Sequence, residues 1–181
     1  MKNIILTLII TLPLTLLGQG WEQTYGDTIV GSNSGRSVQQ TSDGGFIITG
    51  FTYNINLSSY DFIYLLKTDG NGNEQWSKTF GERSFGNSVQ QTQDGGYILV
   101  GSTYSDSDDQ DIYLIKTDEN GVEQWSKIFG EISWNLDLSE FQYIYDRGNS
   151  VKQTTDGGYI ITGYTYSNID GYHRVVCLIK T

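Results

Sequence analysis

This chain of 181 residues contains no alanine, one cysteine, one histidine and few basic residues. The absence of alanine argues against a helical protein, because alanine is the strongest helix former. A single cysteine excludes an intrachain disulfide, and Cys177 lies in an apolar run that favours a buried, inert thiol. The single histidine, His173, lies beside a predicted loop, where we expect it to be solvated rather than catalytic.

Positive charge is also scarce, with 11 basic against 21 acidic residues and a formal net charge of −10. This balance excludes a nucleic-acid partner that needs a basic face. What the chain has instead is 22 glycines, 13 tyrosines, 7 phenylalanines and 4 tryptophans. Aromatic and β-branched residues favour strands, and glycines favour the tight turns between them. The composition predicts an all-β protein.

The first twenty residues have the pattern of a secretory signal peptide. Lys2 provides a positive start, and an almost purely apolar run of 14 residues follows from Ile4 to Leu17. Such a run is shorter than the ~20 residues of a membrane span. Gly18 and Gly20 are the small residues expected before a cleavage site. We expect a signal peptide at 1–20 and no membrane span in the mature chain; an uncleaved anchor is the alternative.

One sequence pattern occurs three times, in residues 35–50, 86–101 and 148–163, with spacings of 51 and 62 residues. Each copy contains the sequence Asp-Gly-Gly between two strand-like segments. Two further anchors recur as well, around Lys67-Thr68 and around Trp76-Ser77. Repeats of about 40 to 50 residues, each with four strand-like pieces, are typical of propeller blades.

Each repeat is predicted to contain four strands, which in the first unit cover about 37–41, 45–52, 63–67 and 75–80. The second and third of these are continuous apolar runs rather than alternating ones. Strands have this pattern when both of their faces are buried. We therefore expect each sheet to be covered on both sides by neighbouring sheets.

The predicted fold is an all-β, β-propeller-like array of three four-stranded antiparallel blades. The domain covers 21–181, with units at about 35–81, 86–130 and 148–181, and 21–26 as an extra outer strand. Closed propellers usually have about four to eight blades, so three blades make an incomplete propeller. Three explanations remain open: further blades in a longer reading frame, self-association of several copies, or an unusual threefold ring.

The motifs at Asp94 to Ser105 and Tyr113 to Gly130 resemble those of secreted bacterial β-propeller repeat proteins. The resemblance covers nearly all of 21–181. It implies an exported or surface protein with no catalytic residues to transfer from the family. Similar proteins often continue into more blades and a sorting domain of the type IX secretion pathway. We accordingly expect a secreted, extracellular or cell-surface location.

The connection at 131–147 holds 17 residues, against 8 and 4 in the two equivalent connections. Long insertions in repeat arrays tend to lie on the binding face. Aromatic faces beside carboxylates can stack on sugar rings and accept hydrogen bonds from hydroxyl groups. The alternative is a loop that covers an exposed sheet edge. The predicted binding residues are Trp134, Asp137, Glu140, Phe141, Tyr143 and Tyr145.

A second candidate is the acidic segment from Asp106 to Asp111, whose four carboxylates could provide oxygen ligands for calcium. The other units carry few or no acids here, so a solvated turn is the alternative and no metal site is assigned. The recurring Asp43, Asp94 and Asp156 precede Gly-Gly and are explained by turns. The recurring lysines Lys67, Lys116 and Lys180 are expected to blunt a strand or to pair with nearby acids.

The sequence therefore predicts an exported, non-catalytic binding or scaffold module without a cofactor. Its expected partner is a glycan or a surface protein, and self-association or further blades are also expected. The alternative is the N-terminal fragment of a larger propeller enzyme, a polysaccharide hydrolase or lyase, whose active site lies in missing blades. A purely structural spacer in a longer surface protein is the third interpretation.

Overall fold

The computed structural model describes residues 20–26, 31–54, 60–104, 109–130, 145–167 and 173–181. These residues form three antiparallel sheets and no helix, and thus no helix among them could cross a membrane. Sheet 1 contains β1 (Gly31–Gln40), β2 (Phe46–Asn54), β3 (Asp61–Thr68) and β4 (Glu74–Glu82). Sheet 2 contains β5 (Ser84–Gln91), β6 (Tyr97–Tyr104), β7 (Gln110–Thr117) and β8 (Glu123–Phe129). Sheet 3 contains β9 (Arg147–Gln153), β10 (Tyr159–Ser167) and β11 (His173–Lys180).

Each sheet is a meander in which consecutive strands pair side by side. The turn between the first two strands depends on its aspartate and glycines. In sheet 1, the Gly45 amide donates to Asp43, and Gly44 has a φ of 85°. Glycine adopts this left-handed conformation without a steric penalty. The same turn occurs at the same place in sheets 2 and 3, which confirms the predicted role of the repeated Asp-Gly-Gly sequence.

The sheets pack face to face, and their first strands β1, β5 and β9 lie next to one another. Sheets 1 and 2 enclose one apolar cluster, and sheets 2 and 3 enclose another. Strand β6 is buried on both faces, as its continuous apolar run predicts. The first cluster contains Ile47, Ile63, Leu65, Val89, Tyr97, Leu99 and Ile115. The second contains Ile98, Val100, Ile112, Leu114, Val151, Tyr159 and Ile161.

Side chains of each first strand bond to the backbone of the next one. The Gln39 side chain accepts a hydrogen bond from the Gln91 amide at 2.6 Å, and Gln90 accepts one from the Gln153 amide at 2.7 Å. A glycine permits this close approach: a Cβ at Gly148 would collide with the Val100 side chain. Polar side chains therefore join the sheets at the edge that holds their first strands.

One expectation about the fold is wrong: sheet 3 has three strands rather than four among the described residues. Residues 21–26, predicted as an extra outer strand, pair with no strand of the described residues. Trp21 instead lies against Phe46 of sheet 1, with ring centroids 5.8 Å apart. The Tyr25 hydroxyl donates to the Gly72 carbonyl of the same sheet at 2.7 Å. These contacts hold the segment on the outer face of sheet 1, away from the edge of β11.

The apolar run of β11 is the other departure. Val176 is 84% exposed and Leu178 70% exposed, although the run predicts burial on both faces. The physical reason is that no described residue packs on this face of sheet 3, whereas Cys177 and Ile179 on the opposite face pack against sheet 2. The predicted signal peptide at 1–20 falls outside the described residues except for Gly20.

Candidate functional site

The array has two edges of different character. The turn rim, residues 41–45, 69–73, 92–96, 118–122 and 154–158, holds hairpins that are nearly the same in every unit. The variable rim is the opposite edge, where β2 meets β3, β4 meets β5, and the equivalent strands of the other sheets meet. The described ends of the predicted binding connection and of the acidic segment both lie on the variable rim. Because the units differ most there, this rim is the candidate functional site.

On the turn rim, each four-stranded sheet has one buried lysine that donates several hydrogen bonds. The Lys67 ammonium donates to Asp43 at 2.8 Å, to the Thr68 carbonyl at 2.8 Å and to the Gln75 side chain at 3.0 Å. Lys116 repeats this set in sheet 2, with Asp94 at 2.9 Å. The expected pairing of the recurring lysines with nearby acids is confirmed.

The aspartates of the three Asp-Gly-Gly turns, Asp43, Asp94 and Asp156, have lowered pKa values. Although burial acts in the opposite direction, hydrogen bonds from Thr92 and Lys116 lower the pKa of Asp94 to about 2. Hydrogen bonds from Lys67 and Thr41 hold the pKa of Asp43 well below its ordinary value. These carboxylates are therefore ionised at neutral pH and act as fixed partners of the lysines. Their contacts assign them a structural role.

On the variable rim, the end of the long connection lies against the end of the acidic segment. Tyr145 forms a parallel bridge with Gln110, and the Asp146 amide donates to the Gln110 carbonyl at 2.6 Å. A Cβ at Gly130, where the connection begins, would collide with the carboxylate of Asp111. Both ends of the connection therefore adjoin β7, and the described ends of the two candidate segments are neighbours.

Asp111 has an unusual electrostatic environment. Burial, together with the negative charges of Asp146 and Asp109, raises its pKa to about 6. A carboxyl in such surroundings takes up a proton in mildly acidic solution. Among the described residues, no group of three or more side chains is arranged to hold a metal ion. Asp106 and Asp108 of the acidic segment lie outside the described residues.

Arginines stack on aromatic rings along the same rim. The Arg36 guanidinium lies 4.9 Å from the ring centre of Phe51 and 5.4 Å from that of Phe85. Arg83 lies 5.4 Å from the ring centre of Tyr104. Arg83 also has a φ of 54°, which is rare for a residue other than glycine. This residue lies in the shortest of the three connections between one unit and the next. Stacking holds these cations in place on an otherwise acidic protein.

Two arginines meet at one asparagine beside the first strands. The side-chain oxygen of Asn87 accepts from Arg36 at 2.7 Å and from Arg147 at 3.1 Å. Burial and the nearby charge of Arg147 lower the pKa of Arg36 below its ordinary value. Sequence reasoning missed this cluster. The available signal was that Arg36 occupies the position held by Asn87 and Asn149 in the other units.

Of the six predicted binding residues, only Tyr145 is among the described ones. It is 38% exposed, at the point where the long connection rejoins the array. The other five lie outside the described residues: Trp134, Asp137, Glu140, Phe141 and Tyr143. The structure places Trp76 and Trp125 in the packing between sheets, as their repeated positions predict.

The single histidine and the single cysteine of the sequence both lie on β11. His173 is exposed at its start, in agreement with the expected solvated position. Burial raises the pKa of the Cys177 thiol above its ordinary value, and this side chain packs partly buried between sheets 2 and 3. A thiol with a raised pKa is a poor nucleophile at neutral pH.

No protein-family model matches this sequence, and no curated protein matches it. The variable rim combines a cluster of carboxylates at Asp111 with arginines that stack on aromatic rings. Such a surface can accept hydrogen bonds from hydroxyl groups, donate them to acidic groups and stack on flat apolar faces.

Proposed function

We propose that this chain is a β-propeller-type repeat module that is exported and that binds a partner without catalysing a reaction. Three sheets that pack face to face, with their first strands along one shared edge, support the propeller-type arrangement. In this arrangement, the repeated residues build the scaffold and the variable rim presents the contact surface. The resemblance to secreted bacterial propeller repeat proteins is consistent with both parts of the proposal.

One observation carries the binding function: Tyr145 and Asp146 are fixed against Gln110. The long connection therefore leaves from sheet 2 and returns to the rim beside the acidic segment. Its predicted contact residues, Trp134 to Tyr143, lie between these two anchors in the chain. The two described ends of the connection, Gly130 and Tyr145, lie on the rim that also holds Arg83.

The ligand we favour is a glycan or a protein outside the cytoplasm. Tryptophan and tyrosine rings stack on the apolar faces of sugars and are also enriched in protein interfaces. Aspartate and glutamate side chains accept hydrogen bonds from hydroxyl groups or pair with basic side chains. The export part of the proposal depends on the signal-peptide pattern of residues 1–20.

A glycan array probed with residues 21–181 tests the function directly. We expect the chain to bind a limited set of glycans, and we expect the double variant Trp134→Ala/Tyr143→Ala to lose that binding. The control is Val122→Ala, which changes an exposed apolar residue on the turn rim and should leave binding unchanged.

Two results would contradict the proposal. If the Val122→Ala control lost binding as completely as the double variant, the contact surface would not be the variable rim. If the chain converted a polysaccharide into shorter products, it would be an enzyme, as in the alternative interpretation of the sequence. A protein partner captured through the same two aromatic residues would support the binding module with a different ligand class.

A further inference from the structure

The two outer faces of the array are apolar, and apart from residues 21–26 on sheet 1 no described residue covers them. Val176 and Leu178 are exposed on sheet 3, and Val38 is 64% exposed on sheet 1. The residues at the same positions of sheet 2 are buried: Ile112, Leu114 and Val89. The exposure thus comes from the place of each sheet in the array and not from a different residue type.

These two faces are the two halves of one kind of interface. Within the chain, Ile63 and Leu65 of sheet 1 pack against Val89 of sheet 2. Sheets 2 and 3 repeat the same pairing, with Ile112, Leu114 and Val151. Val176 and Leu178 occupy the positions of the first half, and Val38 occupies the position of the second. The open face of sheet 3 is therefore complementary to the open face of sheet 1.

The position of Trp21 provides a second argument that the open ends of sheet 1 and sheet 3 fit each other. It meets Phe46 of sheet 1 edge-on at 5.8 Å, and Trp76 meets Tyr97 of sheet 2 at the same distance. Trp76 belongs to the fourth strand of the preceding sheet. Residues 21–26 therefore lie where the fourth strand of a preceding sheet would lie, and sheet 3 is the sheet that has no fourth strand among the described residues.

We propose that a second copy of this chain covers both faces. Sheet 3 of one copy packs on sheet 1 of the other, and residues 21–26 of the other copy lie along β11 as its fourth strand. The same contact forms at both ends, so two copies of three sheets close into a ring of six sheets. Six is the only multiple of three within the usual range of about four to eight blades.

The polar contacts between neighbouring first strands can be repeated between β9 of one copy and β1 of the other at all but one position. Ser37 and Ser88 accept hydrogen bonds from the next first strand, and Ser150 of sheet 3 can do the same for the second copy. Lys152 departs from the pattern, because it replaces the acceptors Gln39 and Gln90. An ammonium group has no lone pair to accept the backbone N–H it would face. This position weakens the contact between copies relative to the contacts within one chain.

Sedimentation of residues 21–181 measures the mass of the assembly. We expect twice the mass of one chain, and we expect Leu178→Glu and Val38→Glu each to give the mass of one chain. Both residues are exposed in the isolated chain, so neither change disturbs its own core. Val122→Glu is the control: it places the same charge on another exposed apolar residue, at a turn where the first unit has Asn73, and should keep the double mass.

Mixing the two variants distinguishes this arrangement from a dimer in which both copies use the same face. Val38→Glu keeps an intact face on sheet 3, and Leu178→Glu keeps an intact face on sheet 1. An equal mixture of the two variants should therefore form a dimer, with twice the mass of one chain, that is held by one unaltered contact. A Val38→Glu variant that remains a dimer alone, or a mixture that remains monomeric, would overturn the proposal.

Lys152→Gln tests the register of the two first strands. It restores the acceptor present at Gln39 and Gln90, and we expect it to lower the dissociation constant of the dimer several-fold. An unchanged constant would overturn the side-by-side placement of β9 and the β1 strand of the second copy. A parent chain that sediments with the mass of one chain, or as an open polymer, would overturn the closed ring. The proposal does not depend on whether the variable rim binds a ligand.

Discussion

Trp21 and Phe46 meet edge-on, with ring centroids 5.8 Å apart and an interplanar angle of 65°. Trp76 and Tyr97 have the same separation with an angle of 61°, and Trp125 and Tyr159 are 5.7 Å apart. Trp21, which precedes the three units, thus repeats a contact that elsewhere joins one sheet to the next. The relationship shows that the repeat extends beyond the three units of sequence to the segment before them.

The buried lysines should be important for stability. Lys116 donates to Asp94, Thr117 and Gln124 from a side chain that is 3% exposed. Lys116→Met leaves these acceptors without their donor, and we expect the free energy of unfolding to fall by about 1–3 kcal/mol. Urea unfolding in the monomeric Leu178→Glu background measures the change without a contribution from association.

Lys180 provides the matched control for that substitution. Its pair with Asp156 has the same geometry, at 3.0 Å, but its side chain is 45% exposed. Solvent-exposed ion pairs contribute little, so Lys180→Met should cost less than about 1 kcal/mol. Equal losses for Lys116→Met and Lys180→Met would show that burial of the lysine does not determine its contribution.

Asp111 should make stability depend on pH in mildly acidic solution. Its pKa in the folded state is about 6, above its ordinary value of 3.8, mainly because of burial. The folded state therefore binds more protons between these values, and stability falls as pH rises through this window. Asp111→Asn should raise the thermal midpoint at pH 7 and leave it nearly unchanged at pH 4.

The control for Asp111→Asn is Glu119→Gln, which removes one negative charge from an exposed turn on the other rim. Thermal unfolding of the three proteins is followed at both pH values. If Asp111→Asn had the same effect at pH 4 as at pH 7, the carboxylate would not be destabilised by its surroundings.

Gly148 is required by the close approach of sheets 2 and 3. A Cβ at this position would collide with the Val100 side chain, and the neighbouring backbone leaves little room for it to move. Overpacking of this kind typically costs about 1–3 kcal/mol, and we expect Gly148→Ala to fall in that range. The comparison is Gly35→Ala, where the nearest atom to the new Cβ lies 3.6 Å away.

Both glycine variants are best measured by urea unfolding in the Leu178→Glu background. There Gly35 faces no second copy, and the Gly35→Ala change should be nearly neutral. A Gly148→Ala variant as stable as its parent would mean that sheets 2 and 3 do not approach as closely as described.

Export is tested by expressing the complete chain in a bacterium with a general secretory pathway. We expect the exported protein to begin at Trp21, as shown by its intact mass. Ile9→Arg interrupts the apolar run and should retain the uncleaved chain in the cytoplasm. Exported protein that still begins at Met1 would contradict a cleaved signal peptide.

The strands and turns follow closely from local patterns in the sequence. The repeated Asp-Gly-Gly marks the hairpins because Gly44 and its equivalents need a left-handed backbone. The long apolar runs mark β3, β6 and β7 because these strands are buried on both faces. Patterns of this kind depend on neighbours in the chain, and a single sequence displays them directly.

Features that depend on distant segments could not be predicted in the same way. Val176 is exposed because no sheet formed by the described residues covers it, since the run it belongs to is as apolar as that of β7. The contact of Arg36 with Asn87 joins residues 51 positions apart, and nothing local signals it. The neighbourhood of Tyr145 and Gln110 likewise depends on how two connections meet in space.

The central claim is that the first strands of neighbouring sheets lie side by side, and amide hydrogen exchange tests it most directly. The Gln91 amide donates to the Gln39 side chain of sheet 1, and the Gln153 amide donates to the Gln90 side chain of sheet 2. We expect Gln39→Ala to speed exchange at Gln91 by about tenfold and to leave exchange at Gln153 unchanged. Unaltered exchange at Gln91 would contradict the stacked array.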